Sequence, residues 1–202
     1  MPMLDENKLM PIIVNHRRYC IEQLVITRDL PGDIAELGVG CGKNVFNMAC
    51  VIKDLGINKK IWALDCFTGL PYTDEETCGI ASGSKIGSCY GIVPAQLELE
   101  LRNRGLNDVV EIVIGLVEET LPVRIADKMF SLVWLDMDLY MPTLFAYKFM
   151  EDRIVPGGLI GFHDHESHFE GITKVVAEAV DKEKFEQAFK RGSSIFFRRK
   201  AI

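Results

Sequence analysis

An apolar segment that ends in two acidic residues places the strongest constraint on how this chain can fold. Residues 130–135 (FSLVWL) are almost continuously apolar and have the length of one strand, as is typical of a parallel strand buried on both faces. Asp136 and Asp138 follow, and a buried carboxylate is costly unless it is paired or binds a metal. Ligands of open α/β sheets bind beyond the carboxyl ends of the strands. The segment therefore predicts a functional site at one edge of a parallel sheet.

A second segment repeats this design nearer the C-terminus. Residues 156–162 (PGGLIGF) lead into His163, Asp164 and His165, with His168 close behind. If the two strands are neighbours, His163 and Asp164 converge with the acids of the first segment and become candidate metal ligands. His165 and His168 are weaker candidates, because a histidine in a loop is commonly only solvated.

Strand and helix patterns alternate along the rest of the chain. The predicted strands are residues 34–37, 60–65, 109–114, 130–135 and 156–162, the predicted helices are residues 1–30 (an N-terminal helical segment), 45–55, 94–104, 143–151 and 172–180, and a C-terminal antiparallel hairpin is predicted over 185–189 and 194–198. This alternation predicts a doubly wound, Rossmann-like α/β sheet that is mostly parallel. With 202 residues, of which 48% are hydrophobic, we expect one domain over residues 1–202.

A glycine-rich turn follows the first predicted strand. Gly38, Gly40 and Gly42 come directly after Glu36 and Leu37 and before a predicted helix. Glycines there let the backbone approach a ligand, and free N–H groups at a helix N-terminus can face it. An acid at the end of the second strand, at position 65, can accept hydrogen bonds from ribose hydroxyls. These features suit a nucleotide-dependent dehydrogenase as well as other nucleotide-binding enzymes.

Composition indicates which binding partners and which cellular compartment to expect for this chain. The net charge of −6 argues against nucleic-acid binding through phosphate contacts, and no apolar stretch is long enough to cross a membrane. The N-terminus lacks the apolar core of a signal peptide and the six cysteines are scattered, so we expect a cytoplasmic protein with free thiols. Residues 72–90 are rich in Gly, Ser and Thr and are predicted to form a mobile lid loop.

Five motifs occur together in one order. They are ELGVGCG at 36–42, DCFTGLP at 65–71, GLVEETLP at 115–122, DMDLY at 136–140 and PGG at 156–158. In this order they resemble class I S-adenosylmethionine-dependent methyltransferases, and more narrowly the macrocin (TylF-type) O-methyltransferase family. The second, third and fourth motifs are much more specific together than any glycine-rich loop.

The resemblance implies S-adenosylmethionine as the cofactor. It implies that Glu36 and the glycines hold its methionine and ribose portion, that Asp65 binds the ribose, and that the turn from Gly115 to Glu118 lies near the adenine. The residues implied for cofactor binding are Glu36, Gly38, Gly40, Gly42, Asp65, Gly115, Glu118 and Asp136. The implied acceptor is a hydroxyl of a small molecule such as a sugar or a natural product, and homodimers are common in the family.

The resemblance also implies a divalent cation, usually magnesium, held by Asp136, His163 and Asp164. The fifth strand of the family typically ends in two aspartates and a tyrosine, whereas here it ends in His163, Asp164 and His165. Magnesium prefers oxygen ligands and imidazole suits other metals, so manganese, iron or zinc are expected to compete with it. Asp138 and His163 are the candidate catalytic proton acceptors. A metal-binding protein of this fold without methyl transfer is the remaining alternative.

Overall fold

Seven strands form a single sheet in the computed structural model, which describes residues 17–80 and 84–201. The elements in chain order are α1 (Arg17–Thr27), β1 (Asp33–Leu37), α2 (Lys43–Leu55), β2 (Ile61–Asp65), α3 (Asp74–Cys78), α4 (Pro94–Asn103), β3 (Val110–Ile114), α5 (Val117–Arg124), β4 (Phe130–Leu135), α6 (Tyr140–Met150), β5 (Ile154–Phe162), α7 (Glu170–Ala179), β6 (Phe185–Arg191) and β7 (Ser194–Arg199). The strand order is β3-β2-β1-β4-β5-β7-β6. Strands β1 to β5 pair in parallel, and β7 runs antiparallel to both β5 and β6.

This architecture confirms the predicted fold, a mostly parallel α/β sheet with a C-terminal antiparallel hairpin. Two helices, α3 and α5, were not predicted, and β5 begins at Ile154 rather than at residue 156. Pro122 lies inside α5 and weakens its helical signal. The helix predicted over residues 1–30 is observed as α1, and residues 1–16 of that prediction lie outside the described residues.

Helices cover both faces of the sheet, so its central strands are buried on both sides. Every residue of β4 is buried, as its unbroken apolar run predicts. On one face the ring of Tyr147 packs against Phe162 and Phe185, with centroids 5.9 and 6.2 Å apart. On the other face Trp134 stacks on Phe196 at 4.9 Å. No helix in the described part of the chain is long and apolar enough to span a membrane.

The order of the strands places β1, β4 and β5 side by side at the centre of the sheet. Leu37 pairs with Leu135, and Leu135 pairs with Phe162, so the three strands end at the same level. From β1 the chain winds outward to β2 and β3, and from β4 it winds the opposite way to β5. Such a reversal of winding direction opens a crevice at the carboxyl ends of the strands. The fold therefore positions a ligand site directly beyond Leu37 and Leu135.

A buried lysine fixes the turn that leads into β1. The Lys59 Nζ atom donates hydrogen bonds to the carbonyl oxygens of Leu30 and Gly32 at 2.5 and 2.6 Å. Lys59 is only 6% exposed, although it stands next to Lys60, which is exposed. These bonds join the segment just before β2 to the turn before β1, so they tie the two strand starts together.

We expect Lys59→Met to lower the free energy of unfolding by about 1–3 kcal/mol, because two partly buried carbonyl oxygens lose a charged donor. Lys60→Met is the matched control and should leave the free energy of unfolding within about 0.5 kcal/mol of the wild type. Urea denaturation of both variants measures the difference. Equal stability of the two variants would show that the Lys59 bonds do not hold this turn.

Candidate functional site

A cleft lies beyond the carboxyl ends of β1, β2 and β4. Its volume is about 860 Å³ including the part open to solvent, and both polar and apolar residues line it. The residues predicted for the cofactor that line this cleft are Gly38, Gly40, Asp65, Gly115, Glu118 and Asp136. Four of the five motifs that were recognised separately along the sequence, all except PGG at 156–158, therefore contribute residues to one space.

The glycine-rich turn forms the floor of the cleft by close backbone packing. Gly38 has a φ of 90°, and a Cβ atom there would collide with the backbone carbonyl oxygen of Asp136. At Gly40 the chain also has a positive φ, and its carbonyl oxygen accepts a hydrogen bond from the Ile92 amide at 2.9 Å. Only glycine meets both requirements at position 38, because an L side chain rarely adopts this φ and has no room here.

Asp65 holds this turn in place through its carboxylate. Its Oδ2 atom accepts hydrogen bonds from the amides of Val39 and Gly40 at 2.7 and 2.9 Å, and Oδ1 accepts one from the Phe67 amide at 2.6 Å. A carboxylate has about four lone-pair directions, so Asp65 retains acceptor capacity towards the cleft that it lines. The structure thus gives Asp65 a role in shaping the loop that the sequence did not reveal.

Two of the predicted cofactor residues do not line the cleft. Glu36 is 1% exposed, and its Oε2 atom accepts a hydrogen bond from Asn44 Nδ2 at 3.1 Å. Gly42 is the N-cap residue of α2 with a φ of 73°, and a Cβ atom there would lie 2.9 Å from Leu97. Glu36 is thus buried behind the glycine-rich turn, and Gly42 ends the turn at the start of α2.

Asp136, His163 and Asp164 come together at the rim of the cleft. His163 Nδ1 lies 2.8 Å from Asp136 Oδ1 and 3.1 Å from Asp164 Oδ2. One potential ligand atom from each residue lies within 4.8 Å of the others, and no other such group occurs among residues 17–80 and 84–201. Adjacent ligands of an octahedral metal with bonds of about 2.1 Å are roughly 3 Å apart, so the spacing of these donors fits one small divalent cation.

Charge also couples these three side chains. Burial alone would lower the pKa of His163, but hydrogen bonds to Asp136 and Asp164 outweigh it and raise the pKa to about 10. Burial would raise the pKa of Asp164, but the hydrogen bond from His163 brings it below its ordinary value. The group therefore holds an imidazolium between two acids, and a metal ion bound by the same atoms would displace that proton.

Asp138 lines the cleft beside this group. Its thiol neighbour Cys89 and Asp164 both hydrogen-bond to its carboxyl group, and burial followed by the charge of Asp136 raises the pKa of Asp138 to about 7. The backbone is left-handed at both Asp138 and Asp164, with φ values of 64° and 57°. Such strain in residues other than glycine concentrates at functional sites.

Two of the remaining histidines differ in environment. His165 is 8% exposed, and burial lowers its pKa, so the expectation of a solvated loop residue is wrong for it. Its backbone amide donates to the carbonyl oxygen of Ser193 in the β6–β7 turn. His168 is exposed, as expected for a solvated loop residue. The centroid of its ring lies 4.1 Å from that of Phe169.

The segment predicted as a lid contributes residues that sequence reasoning missed. Tyr72 and Cys89 line the cleft, and Asp74 hydrogen-bonds to the first residue of α6. Thr73 accepts a hydrogen bond from the Glu76 amide, a capping pattern that could have revealed α3 in the sequence. Residues 81–83 of the predicted lid lie outside the described residues, and its mobility stays a prediction.

Comparisons with known proteins bear on the family and the fold of the chain. The sequence profile of the family Macrocin-O-methyltransferase (TylF) matches residues 12–199. No curated protein sequence matches this chain. A profile match over nearly the whole chain covers every element of the site, including the residues that line the cleft.

Solved structures of methyltransferases share the fold. CalS11, a calicheamicin methyltransferase, is 20% identical with a TM-score of 0.77 over 98% of this chain and 86% of its own. The O-methyltransferase NovP is 21% identical with a TM-score of 0.75 over 96% and 80%. TomG from Streptomyces achromogenes, solved in complex with SAM (S-adenosylmethionine), is 13% identical with a TM-score of 0.58 over 97% and 85%.

These findings decide between the enzyme classes that the glycine-rich turn alone left open. The fold is that of the methyltransferase neighbours, and the family match excludes the dehydrogenase alternative. The cofactor of this class is S-adenosylmethionine. The chain belongs to the macrocin O-methyltransferase (TylF) family.

Proposed function

We propose that this enzyme transfers the methyl group of S-adenosylmethionine to a hydroxyl of a small molecule, such as a sugar or another natural product, and that turnover requires a divalent metal. The position of Asp136 carries the proposal. Asp136 lines the cofactor cleft and also contacts His163 in the rim group, so the cleft and the candidate metal ligands share a residue. A hydroxyl held at the rim would then face the cofactor.

The cleft suits a cofactor that carries positive charge. S-adenosylmethionine supplies a methyl group on a positively charged sulfur. The acids Asp65, Glu118 and Asp136 line the cleft, and among its lining residues in the described part of the chain there is no lysine or arginine. Opposite charges attract strongly in a partly desolvated site, so these acids favour a cationic ligand.

Asp138 is the best placed group to take the proton of the acceptor hydroxyl. It lines the cleft, and its pKa of about 7 allows it to accept a proton at neutral pH. His163 Nδ1 lies 2.8 Å from an oxygen of Asp136 and 3.1 Å from an oxygen of Asp164, so it already interacts with those two acids. We therefore assign proton transfer to Asp138 and place His163 among the metal ligands.

The donor atoms of Asp136, His163 and Asp164 would hold the cation. A bound cation lowers the pKa of a coordinated hydroxyl, which an aliphatic acceptor needs. Because one of the three donors is a nitrogen, the set favours manganese, iron or zinc over magnesium. The carboxylates of Asp136 and Asp164 both contact His163 Nδ1, so all three side chains face one another.

We expect Asp65→Ala to weaken S-adenosylmethionine binding by about 1–3 kcal/mol, because the glycine-rich turn loses the acceptor of two of its amides and the cofactor loses a charged partner. Calorimetric titration measures the change. Glu119→Ala removes an exposed acid from the first turn of α5 without altering the cleft lining and should keep the wild-type affinity. Equal affinity of both variants would remove Asp65 from the site.

Metal dependence is tested by stripping the enzyme with a chelator and titrating magnesium, manganese, iron and zinc separately. Asp164→Asn should bind each metal at least about tenfold more weakly, because a charged ligand is lost, and should keep its cofactor affinity. Asp138→Asn, which removes no proposed ligand, should bind each metal more tightly than Asp164→Asn does but lose turnover. Normal metal binding by Asp164→Asn, or no binding by the stripped wild type, would refute the metal site.

The variant His163→Asp tests the identity of the metal. It replaces the nitrogen donor with oxygen and should shift the preference towards magnesium. Turnover is followed by the formation of S-adenosylhomocysteine with a panel of hydroxylated sugars and glycosides. An unchanged order of metal affinities would show that His163 is not a ligand.

A further inference from the structure

The helix that follows the acidic loop receives its N-terminal cap from a distant part of the chain. Leu139 occupies the N-cap position of α6 and makes no side-chain cap. Instead, the amide of Tyr140 donates to both carboxylate oxygens of Asp74, at 2.9 and 2.8 Å. The first N–H groups of a helix need partners, and a negative charge is favourable there.

Asp74 is placed in a tight and fully buried position. It is 0% exposed, and a Cβ atom added at Gly171 in α7 would collide with its Oδ2 atom. Burial raises the pKa of Asp74, and the hydrogen bond from Tyr140 opposes that rise. A buried carboxylate is a costly cap, since serine or asparagine would satisfy one amide without a buried charge. This cost indicates that the position of Asp74 matters to the site.

The Asp74–Tyr140 hydrogen bond joins two walls of the cofactor cleft. Residues 70–72, immediately before α3, line one wall, and residues 136–139, immediately before α6, line the other. Asp74 lies two residues after Tyr72, and Tyr140 lies one residue after Leu139. The bond therefore links the two walls close to the residues that line the cleft. It also holds the loop that carries Asp136 and Asp138.

The segment that contains Asp74 is attached to the cleft at its other end as well. The Leu70 amide donates to the Ser88 carbonyl oxygen at 2.8 Å, and the Gly87 amide donates to the Leu70 carbonyl oxygen at 2.8 Å. Ile92 donates to Gly40 in the glycine-rich turn at 2.9 Å. The segment is thus a loop with both ends on the cleft, and Asp74 is its contact with α6.

We propose that Asp74 is a positioning residue for the cofactor cleft. When α3 docks, the Asp74 carboxylate fixes the N-terminus of α6 and thereby sets residues 136–139 against the glycine-rich turn. Asp74 does not line the cleft, so it acts on the cofactor only through this wall. The inference rests on the proposed function in one respect, namely that the ligand of the cleft is S-adenosylmethionine.

Three variants separate positioning from a general loss of stability. Asp74→Ala should lower S-adenosylmethionine affinity about tenfold, because the wall loses its anchor, and Asp74→Asn should be intermediate, because it keeps one acceptor oxygen. Thr73→Ala removes the cap of α3 itself, since Thr73 Oγ1 accepts from the Glu76 amide at 3.3 Å. It loosens the same helix without touching α6 and should bind the cofactor within about twofold of wild type. Affinities are measured well below the unfolding temperature of each variant.

A double-mutant cycle tests the bond itself. Proline is favoured at the first position of a helix and has no N–H, so Tyr140→Pro deletes the donor. Leu139 already has the extended backbone, with φ −115° and ψ 146°, that a residue before proline requires. Tyr140→Pro should weaken cofactor binding as Asp74→Ala does, and the double variant should be no weaker than either. Tyr140→Phe keeps the amide and should bind as the wild type does.

Amide hydrogen exchange of the free enzyme gives a readout that does not depend on the ligand. Exchange over residues 136–143 should speed up at least about tenfold in Asp74→Ala and stay unchanged in Thr73→Ala. Additive effects in the cycle, equal affinities of Asp74→Ala and Thr73→Ala, or unchanged exchange over residues 136–143 would overturn the proposal. If the wild type binds no S-adenosylmethionine, the proposed function fails, and hydrogen exchange alone then decides on Asp74.

Discussion

The parallel pairing of β1, β4 and β5 continues one residue beyond the strands, and the site depends on that continuation. The Asp136 amide donates to the Leu37 carbonyl oxygen at 2.8 Å, and the His163 amide donates to the Leu135 carbonyl oxygen at 2.9 Å. Backbone pairing therefore places Asp136 and His163 at the same level, one residue beyond the carboxyl ends of their strands. Asp164, the glycine-rich turn and the cofactor cleft are all placed relative to this pair.

Much of this arrangement could be predicted from the sequence because it follows from local patterns. Apolar runs that end in Asp136 and His163 identified two buried central strands, and neighbouring parallel strands must bring their carboxyl ends together. The contact between Asp74 and Tyr140 could not be predicted, since it joins residues 66 positions apart and depends on how α3 packs. Glu36 was predicted at the cofactor, but the sequence does not show that α2 and Asn44 enclose it.

The charged side chains of the site shift one another's pKa values, so the effect of each depends on its neighbours. His163 keeps a raised pKa only because two carboxylates adjoin it, and Asp138 has a raised pKa because it is buried near Asp136. Removing one acid therefore changes the protonation of the others. The ring of Trp134 lies 5.9 Å from that of His163, in a tilted arrangement. The rim responds as one titrating unit, so variants at its positions are best compared at several pH values.

The left-handed backbone at Asp138 and Asp164 has a consequence for which sequences this site can accept. Glycine, asparagine and aspartate enter that conformation readily, whereas β-branched residues do so only with large strain. The backbone conformation therefore restricts which residue types can occupy the two positions, whatever their chemical role. A valine or threonine variant would report on backbone geometry as much as on the lost carboxylate. Asparagine is the replacement that preserves the conformation while it removes the carboxylate, so it isolates the contribution of the charge.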